Sequence, residues 1–62
     1  MSRNNIEYNL GATLGSIAFA KGIFAACNDP EAMAHMAGRQ VGESVMFLKG
    51  WSAGHTRARL AS

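Results

Sequence analysis

The sequence is short of the residues that stabilise very small proteins by cross-linking. It has 62 residues and a single cysteine, Cys27, so no disulfide can form within the chain. The soft metal ligands are Cys27, His35 and His55, and their spacing fits no zinc-binding pattern. A single small core supplies roughly 3–5 kcal/mol. We therefore expect one domain, 1–62, that gains further stability by forming a homodimer.

Motifs of reaction chemistry are also missing. The sequence contains no nucleophile elbow, phosphate-binding loop, paired-carboxylate motif or metal motif. Glu31 and His35 are four residues apart and could form a proton relay, but such a pair is more often a surface salt bridge. His55 falls on an apolar helix face near Trp51, which is typical of an interior histidine. We expect no enzymatic activity, no metal and no cofactor.

Acidic residues are few. Four Asp and Glu stand against six Lys and Arg, which gives a net charge of +2 and a pI near 9.2. This excess is below the clustered charge of a dedicated nucleic-acid binder. Arg57 and Arg59 have no acidic residue after Glu43, so the C-terminal end is locally positive. The N-terminal MSRNNIEYN is polar and lacks the pattern of a secretory signal, so we expect a cytoplasmic protein.

No apolar run is long enough to cross a membrane. The longest candidate, residues 10–27 (LGATLGSIAFAKGIFAAC), falls short of the roughly 20 apolar residues needed and contains Lys21. It does not alternate, and Gly and Ala are rare in strands, so it does not resemble a β-strand. Helical periodicity instead groups its large residues on one stripe, beginning with Ile6 upstream. That stripe comprises Ile6, Leu10, Leu14, Ile17 and Phe24.

A second stripe on the same helix carries only small residues: Gly11, Gly15, Ala18 and Gly22. Each glycine inside a helix costs roughly 1 kcal/mol relative to alanine. A helix tolerates this cost where another backbone packs closely against it, because small residues permit dense contact. These four positions are therefore predicted to form a helix-packing surface.

The segment CNDPEAM predicts the end of one helix and the start of the next. Asp29 can cap the second helix, Pro30 suits its first position, and Glu31 suits the positive end of its dipole. A short connection favours antiparallel neighbours. The sequence thus predicts an all-α fold, an antiparallel helical hairpin of two helices, or of three if the second helix breaks near Gly38.

Treated as one continuous helix, the C-terminal half has an apolar face that should pack inward. That face comprises Met33, Ala37, Val41, Val45, Leu48, Trp51 and His55. Met36, Met46 and Phe47 fall outside it. Exposed apolar clusters usually mark a partner surface, unless a dimer or a kink at Gly38 buries them.

The segment FLKGWSAGHTRAR combines aromatic and basic residues, with Lys49 between Phe47 and Trp51. Aromatics among cations can stack on bases and contact phosphates. Trp and Arg are equally frequent at the energetic centres of protein interfaces, so both uses stay open. The predicted partner-binding residues are Met36, Met46, Phe47, Lys49, Trp51, Arg57 and Arg59.

The residues FLKGW (47–51) resemble the aromatic-Leu-x-Gly-Trp signature near the end of ribosome modulation factor and its small phage-borne relatives. Upstream, AKGIFAAC is similar to the Gly- and Ala-rich first helix of that family. The resemblance implies a two-helix protein that binds ribosomal RNA and ribosomal proteins and stalls translation. It would assign that role to Phe47, Gly50 and Trp51, with Gly50 allowing close helix approach. The family's Cys-Pro pair is replaced here by the longer segment 27–30.

The sequence is therefore consistent with three functions. The first is a non-enzymatic regulator, inhibitor or adaptor of the type encoded by phages, which docks on a larger protein such as one of a host cell. The second is binding to the ribosome or its RNA. The third is a small structural subunit of a virion or another assembly. None of these requires a membrane.

Overall fold

The computed structural model describes residues 3–62 and contains three α-helices. Helix α1 spans Arg3–Ala20, α2 spans Pro30–Met36 and α3 spans Val41–Ala61, and a short 3-10 turn covers Ala26–Asn28. The all-α prediction is confirmed, and the described residues contain no strand. The break near Gly38 is also confirmed, because Gly38 lies between α2 and α3.

Helix α1 ends earlier than predicted because Gly22 terminates it. Gly22 has φ of 79°, a left-handed conformation that glycine adopts without steric cost. The N–H of Ile23 donates to the carbonyl of Ala18 at 2.9 Å, and that of Gly22 to Phe19 at 3.0 Å. These two bonds form a Schellman motif. The prediction that Gly22 belongs to the helix-packing stripe is therefore wrong, since it is the residue that ends the helix.

Side-chain caps begin α2 and α3. The carboxylate of Asp29 accepts a hydrogen bond from the N–H of Glu31 at 3.2 Å, and Pro30 occupies the first turn of α2. This confirms the cap predicted from the sequence. Gln40 and Glu43 form a reciprocal capping box at the start of α3. Both helix starts are thus fixed locally.

The two long helices run parallel. Gly11 of α1 lies against Phe47 of α3, and Gly15 lies against Trp51 further along both helices. Helix α2 runs in the opposite direction, since Asp29 meets Trp51 while His35 meets Phe47. Helices α1 and α2 are thus antiparallel, as predicted across their connecting turn. The predicted hairpin of two long antiparallel helices is wrong, because the break near Gly38 introduces a second chain reversal that brings α3 back parallel to α1.

Glycines form the contact between α1 and α3. A Cβ atom at Gly11 or Gly15 would overlap the backbone carbonyl of Phe47 or Trp51. The contact is reciprocal, and its α3 side comprises Gly50, against Tyr8, and Gly54, against Ala12. The second backbone expected against the small stripe thus belongs to the same chain. Ala18 is also buried.

The core lies where α2 covers the seam between α1 and α3. Its buried hydrophobic residues are Ala18, Ala32, Phe47 and Trp51. The prediction of an inward face containing Met33, Val41, Val45 and Leu48 is wrong, because these side chains are exposed. The glycines of α3 that contact α1 determine which side of α3 faces inward. Because the chain breaks between α2 and α3, the helical periodicity of α2 does not continue into α3.

Replacing Gly15 with alanine should destabilise the fold. The new methyl group meets a rigid carbonyl, so the helices must separate, and overpacking of this kind costs about 1–3 kcal/mol. Urea denaturation followed by circular dichroism measures the change.

Gly42→Ala is the matched control, because a Cβ there meets nothing within 4 Å. It should stabilise α3 by up to about 1 kcal/mol through helix propensity. Equal effects at Gly15 and Gly42 would contradict the close contact.

Candidate docking surface

The two aromatic residues predicted to bind a partner are in the core. Phe47 is 0% exposed and Trp51 is 4% exposed. Trp51 donates from Nε1 to Oδ2 of Asp29 at 3.0 Å, and the ring of His55 stacks on its indole at a centroid distance of 5.0 Å. Neither aromatic face is open to a base or to a partner side chain. The prediction that Phe47 and Trp51 form a partner surface is therefore wrong.

A single buried carboxylate connects the start of α2 with α3. Asp29 accepts from the N–H of Glu31 through Oδ1 and from Trp51 through Oδ2. Both acceptor oxygens are thus used by the fold. A hydrogen bond to a charged group contributes about 1.5–3 kcal/mol. Asp29 consequently both caps α2 and fixes the rotamer of the largest core side chain.

His55 is an interior histidine, as its position beside Trp51 suggested. Its Nε2 lies 2.9 Å from the carbonyl oxygen of Ile23, which can only accept, so Nε2 carries a proton. The edges of its ring contact Phe19 and Phe24. His55 therefore holds the turn after α1 against the end of α3.

A second polar group ties α2 to α1. His35 donates from Nε2 to Oε1 of Glu7 at 2.6 Å, and Nε of Arg39 lies 3.9 Å from Oε2. The ring of His35 stacks on Phe47 at 4.5 Å. The predicted pairing of His35 with Glu31 is replaced by this contact, because Glu7 lies under α2.

Glu31 instead pairs with Lys21 at the surface, at 2.7 Å. The hydrogen bond and the charge of Glu31 raise the pKa of Lys21 above its ordinary value of 10.5. Both side chains are about half exposed, so solvent screens the pair and it adds little to stability. The pair neutralises two charges at the end of α1.

The polar groups buried in the fold serve packing. Within residues 3–62 every buried side-chain nitrogen or oxygen has a hydrogen-bond partner. The same residues enclose no detectable cavity and bring no three potential metal ligands together.

Large aliphatic side chains form two exposed rows on opposite edges of the helix pair. The α1 flank consists of Ile6, Leu10 and Ile17. The α3 flank consists of Val41, Val45 and Leu48 of α3 together with Met33 of α2. Within α1 and within α3, successive flank residues are three, four or seven positions apart, so they lie on one side of the helix. Both flanks face away from the glycine contact.

The unpaired charges of the described surface are positive. Lys49, Arg57 and Arg59 are exposed and have no carboxylate partner in the described part of the chain. The four Asp and Glu side chains are all engaged: Glu7, Asp29 and Glu31 in the contacts above, and Glu43 in the capping box. A partner approaching α3 therefore meets cations.

The predicted partner-binding residues thus divide into three groups. Lys49, Arg57 and Arg59 are exposed, whereas Met36 and Met46 are only partly exposed and Met36 packs against the core. Phe47 and Trp51 are buried. The exposed aliphatic residues of the two flanks were missed, although the four-residue spacing of Gly50 and Gly54 could have identified the inward side of α3.

The bond between Asp29 and Trp51 can be measured by a double-mutant cycle. Asp29→Asn leaves one acceptor oxygen for two donors, the N–H of Glu31 and the indole N–H of Trp51, and Trp51→Phe removes the indole donor. Each single variant should lose about 1–3 kcal/mol of unfolding free energy. The double variant should lose less than the sum, by about 1 kcal/mol or more in urea denaturation. Strict additivity would show that the two side chains do not interact.

The described helices include none that is long and apolar enough to cross a membrane.

Comparison with known proteins identifies neither a family nor a function for this chain. No protein-family model, curated protein or solved structure matches this sequence.

Proposed function

We propose that this protein is a non-enzymatic docking protein that acts as a small regulator, inhibitor or adaptor on a larger protein. One observation carries the proposal: nine large hydrophobic side chains are exposed in the described part of the chain, against four buried hydrophobic residues in its core. They are Ile6, Leu10, Ile17, Phe24, Met33, Val41, Val45, Leu48 and Leu60.

The grouping of these side chains supports docking more than their number does. Singly exposed hydrophobic residues are normal, whereas contiguous apolar patches mark interaction sites. Most of the exposed aliphatic residues fall on the α1 flank or the α3 flank. Full burial of one Val, Leu or Ile side chain contributes about 1.5–3 kcal/mol. Association itself costs at least about 4 kcal/mol, so one flank alone gives a weak site and needs polar contacts as well.

Binding to ribosomal RNA is the second candidate. The unpaired cations Lys49, Arg57 and Arg59 favour contacts with phosphates. The stacking contribution expected from Phe47 and Trp51 is lost because both are buried. This candidate therefore depends on electrostatic contacts alone.

A small structural subunit of a virion or another assembly is the third candidate. The small-residue surface predicted on α1 could have packed against another copy, but Gly11 and Gly15 are covered by α3 of the same chain. Self-association, including the expected homodimer, would thus use other exposed apolar side chains, such as those of the two flanks.

Charged substitutions on the flanks test the docking function. Val45→Lys and Ile17→Lys each place an ammonium group in one flank without touching the core. Affinity capture from a nuclease-treated lysate with the natural chain should recover another protein in stoichiometric amount. Capture with one of the two variants should recover at least tenfold less of that protein. Quantitative mass spectrometry measures the recovery.

Ser16→Lys is the matched control, because Ser16 is an exposed polar residue of α1. It adds the same charge and should leave recovery unchanged. Recovery of the chain alone would contradict docking on another protein, and recovery that disappears with nuclease treatment would favour the RNA-binding candidate.

A further inference from the structure

The α3 flank combines apolar and cationic side chains on one side of a single helix. Val45 and Leu48 are exposed there, and Val41 is 81% exposed. Lys49 follows Val45 by four residues, and Arg59 follows Leu48 by eleven, spacings that return to the same side of a helix. The flank thus runs from an aliphatic N-terminal half to a cationic C-terminal half.

Met33 of α2 widens the aliphatic half. Glu31 pairs with Lys21 at the end of α1, so it marks the side of α2 turned toward α1. Met33, two residues further along, lies on the other side, toward α3, and is exposed. Methionine is flexible and adapts to the shape of a partner.

No Asp or Glu side chain of the described residues is free to neutralise this flank. All four acidic residues are engaged in contacts elsewhere in the fold. Lys49 and Arg59 have no acidic partner in the described part of the chain. Charge complementarity therefore favours a partner with carboxylates beside an apolar stripe.

Among the residues whose side chains the structure describes, the α1 flank lacks this charge pattern. Ile6, Leu10 and Ile17 are exposed, but Lys21, the nearest described cation beyond them, is neutralised by Glu31. The same fold thus offers two aliphatic rows, of which only the α3 flank is bordered by described cations without a partner. This difference provides an internal control.

The shape of the α3 flank fits a helix. Its residues follow one line along α3 from Val41 to Arg59, a distance of about 27 Å at 1.5 Å per residue. A partner helix lying alongside can place aliphatic residues every three or four positions against Val41, Val45 and Leu48. Its charged positions then fall at the edges of the contact, where Lys49 and Arg59 lie.

We propose that the α3 flank binds an acidic amphipathic helix of a partner protein. The aliphatic stripe of that helix covers Val41, Val45, Leu48 and Met33, and its Asp or Glu residues pair with Lys49 and Arg59. This inference rests on the proposed docking function and specifies the chemistry of the partner. The charges select the partner and orient it, whereas the aliphatic contact supplies most of the affinity.

A displayed library of amphipathic helices tests the proposal. Each peptide carries a fixed leucine stripe, and each position flanking the stripe is Glu, Gln or Lys. The natural chain should enrich peptides with Glu at these positions over those with Lys by at least tenfold. A fluorescent peptide with the enriched sequence then measures affinity by anisotropy at low and high salt, and its affinity should fall as salt rises.

Variants of exposed residues separate the two components of the site. Val45→Lys should weaken binding of the enriched peptide more than tenfold, whereas Ile17→Lys on the α1 flank should leave it unchanged. The pair Lys49→Gln and Arg59→Gln should together weaken binding about five- to tenfold and remove most of the salt dependence. Arg57→Gln removes the same charge from α3, but helical spacing places Arg57 on the other side, so binding should not change.

Several results would overturn the proposal. Enrichment of leucine-stripe peptides without preference for Glu would leave docking intact and exclude the acidic partner. No enrichment at all would exclude a helical partner at this flank, and lysate capture would still decide the docking function independently. A dimer in sedimentation equilibrium that Val45→Lys dissociates would make a second copy the occupant. Binding of a labelled single-stranded RNA that needs Lys49 and Arg59 but tolerates Val45→Lys would make RNA the partner.

Discussion

The direct contact between the backbones of α1 and α3 determines where every large side chain of the two long helices can lie. Four glycines, two on each helix, allow carbonyl groups of one helix to occupy the space that a side chain would otherwise fill. No large side chain fits between helices this close, so most aliphatic residues of both helices lie at the outer edges, whereas Leu14 packs against the core. The Cα atoms extend only 12 Å in the thinnest direction. The interior is correspondingly small and the exposed apolar surface large.

Polar contacts compensate for the limited burial under α2. This helix has seven residues, of which Ala32 is buried, so it gains little from apolar packing. Asp29 and His35 instead bind Trp51 and Glu7, and the aromatic rings of α3 are enclosed beneath them. Phe47 and Trp51, which suggested an RNA-binding or protein-binding surface, are therefore structural. The proposed docking function instead uses the flanks, where aliphatic and cationic side chains lack partners among the described residues.

Local features were predictable from the sequence, whereas the arrangement of the helices was not. The Asp29 cap, the break near Gly38 and the small-residue stripe each depend on a few neighbouring residues. The predicted inward face of α3 was wrong because one helical periodicity was continued across the break near Gly38. The break changes which residues of α3 point inward. A usable signal was present: residues 8–15 (YNLGATLG) and 47–54 (FLKGWSAG) share the pattern aromatic-x-x-Gly-x-Ser/Thr-x-Gly. In the structure these two segments face each other in parallel register, with each glycine against the other's backbone.

The most direct test of the glycine contact is an isotope-filtered nuclear Overhauser experiment on a mixture of labelled and unlabelled chains. The account predicts strong cross-peaks between the Hα protons of Gly11 and Gly15 and backbone protons of residues 47–55, in parallel register. These cross-peaks should arise within one chain and be absent from the spectrum filtered for contacts between chains. Cross-peaks in antiparallel register, or cross-peaks found only between labelled and unlabelled chains, would contradict the account.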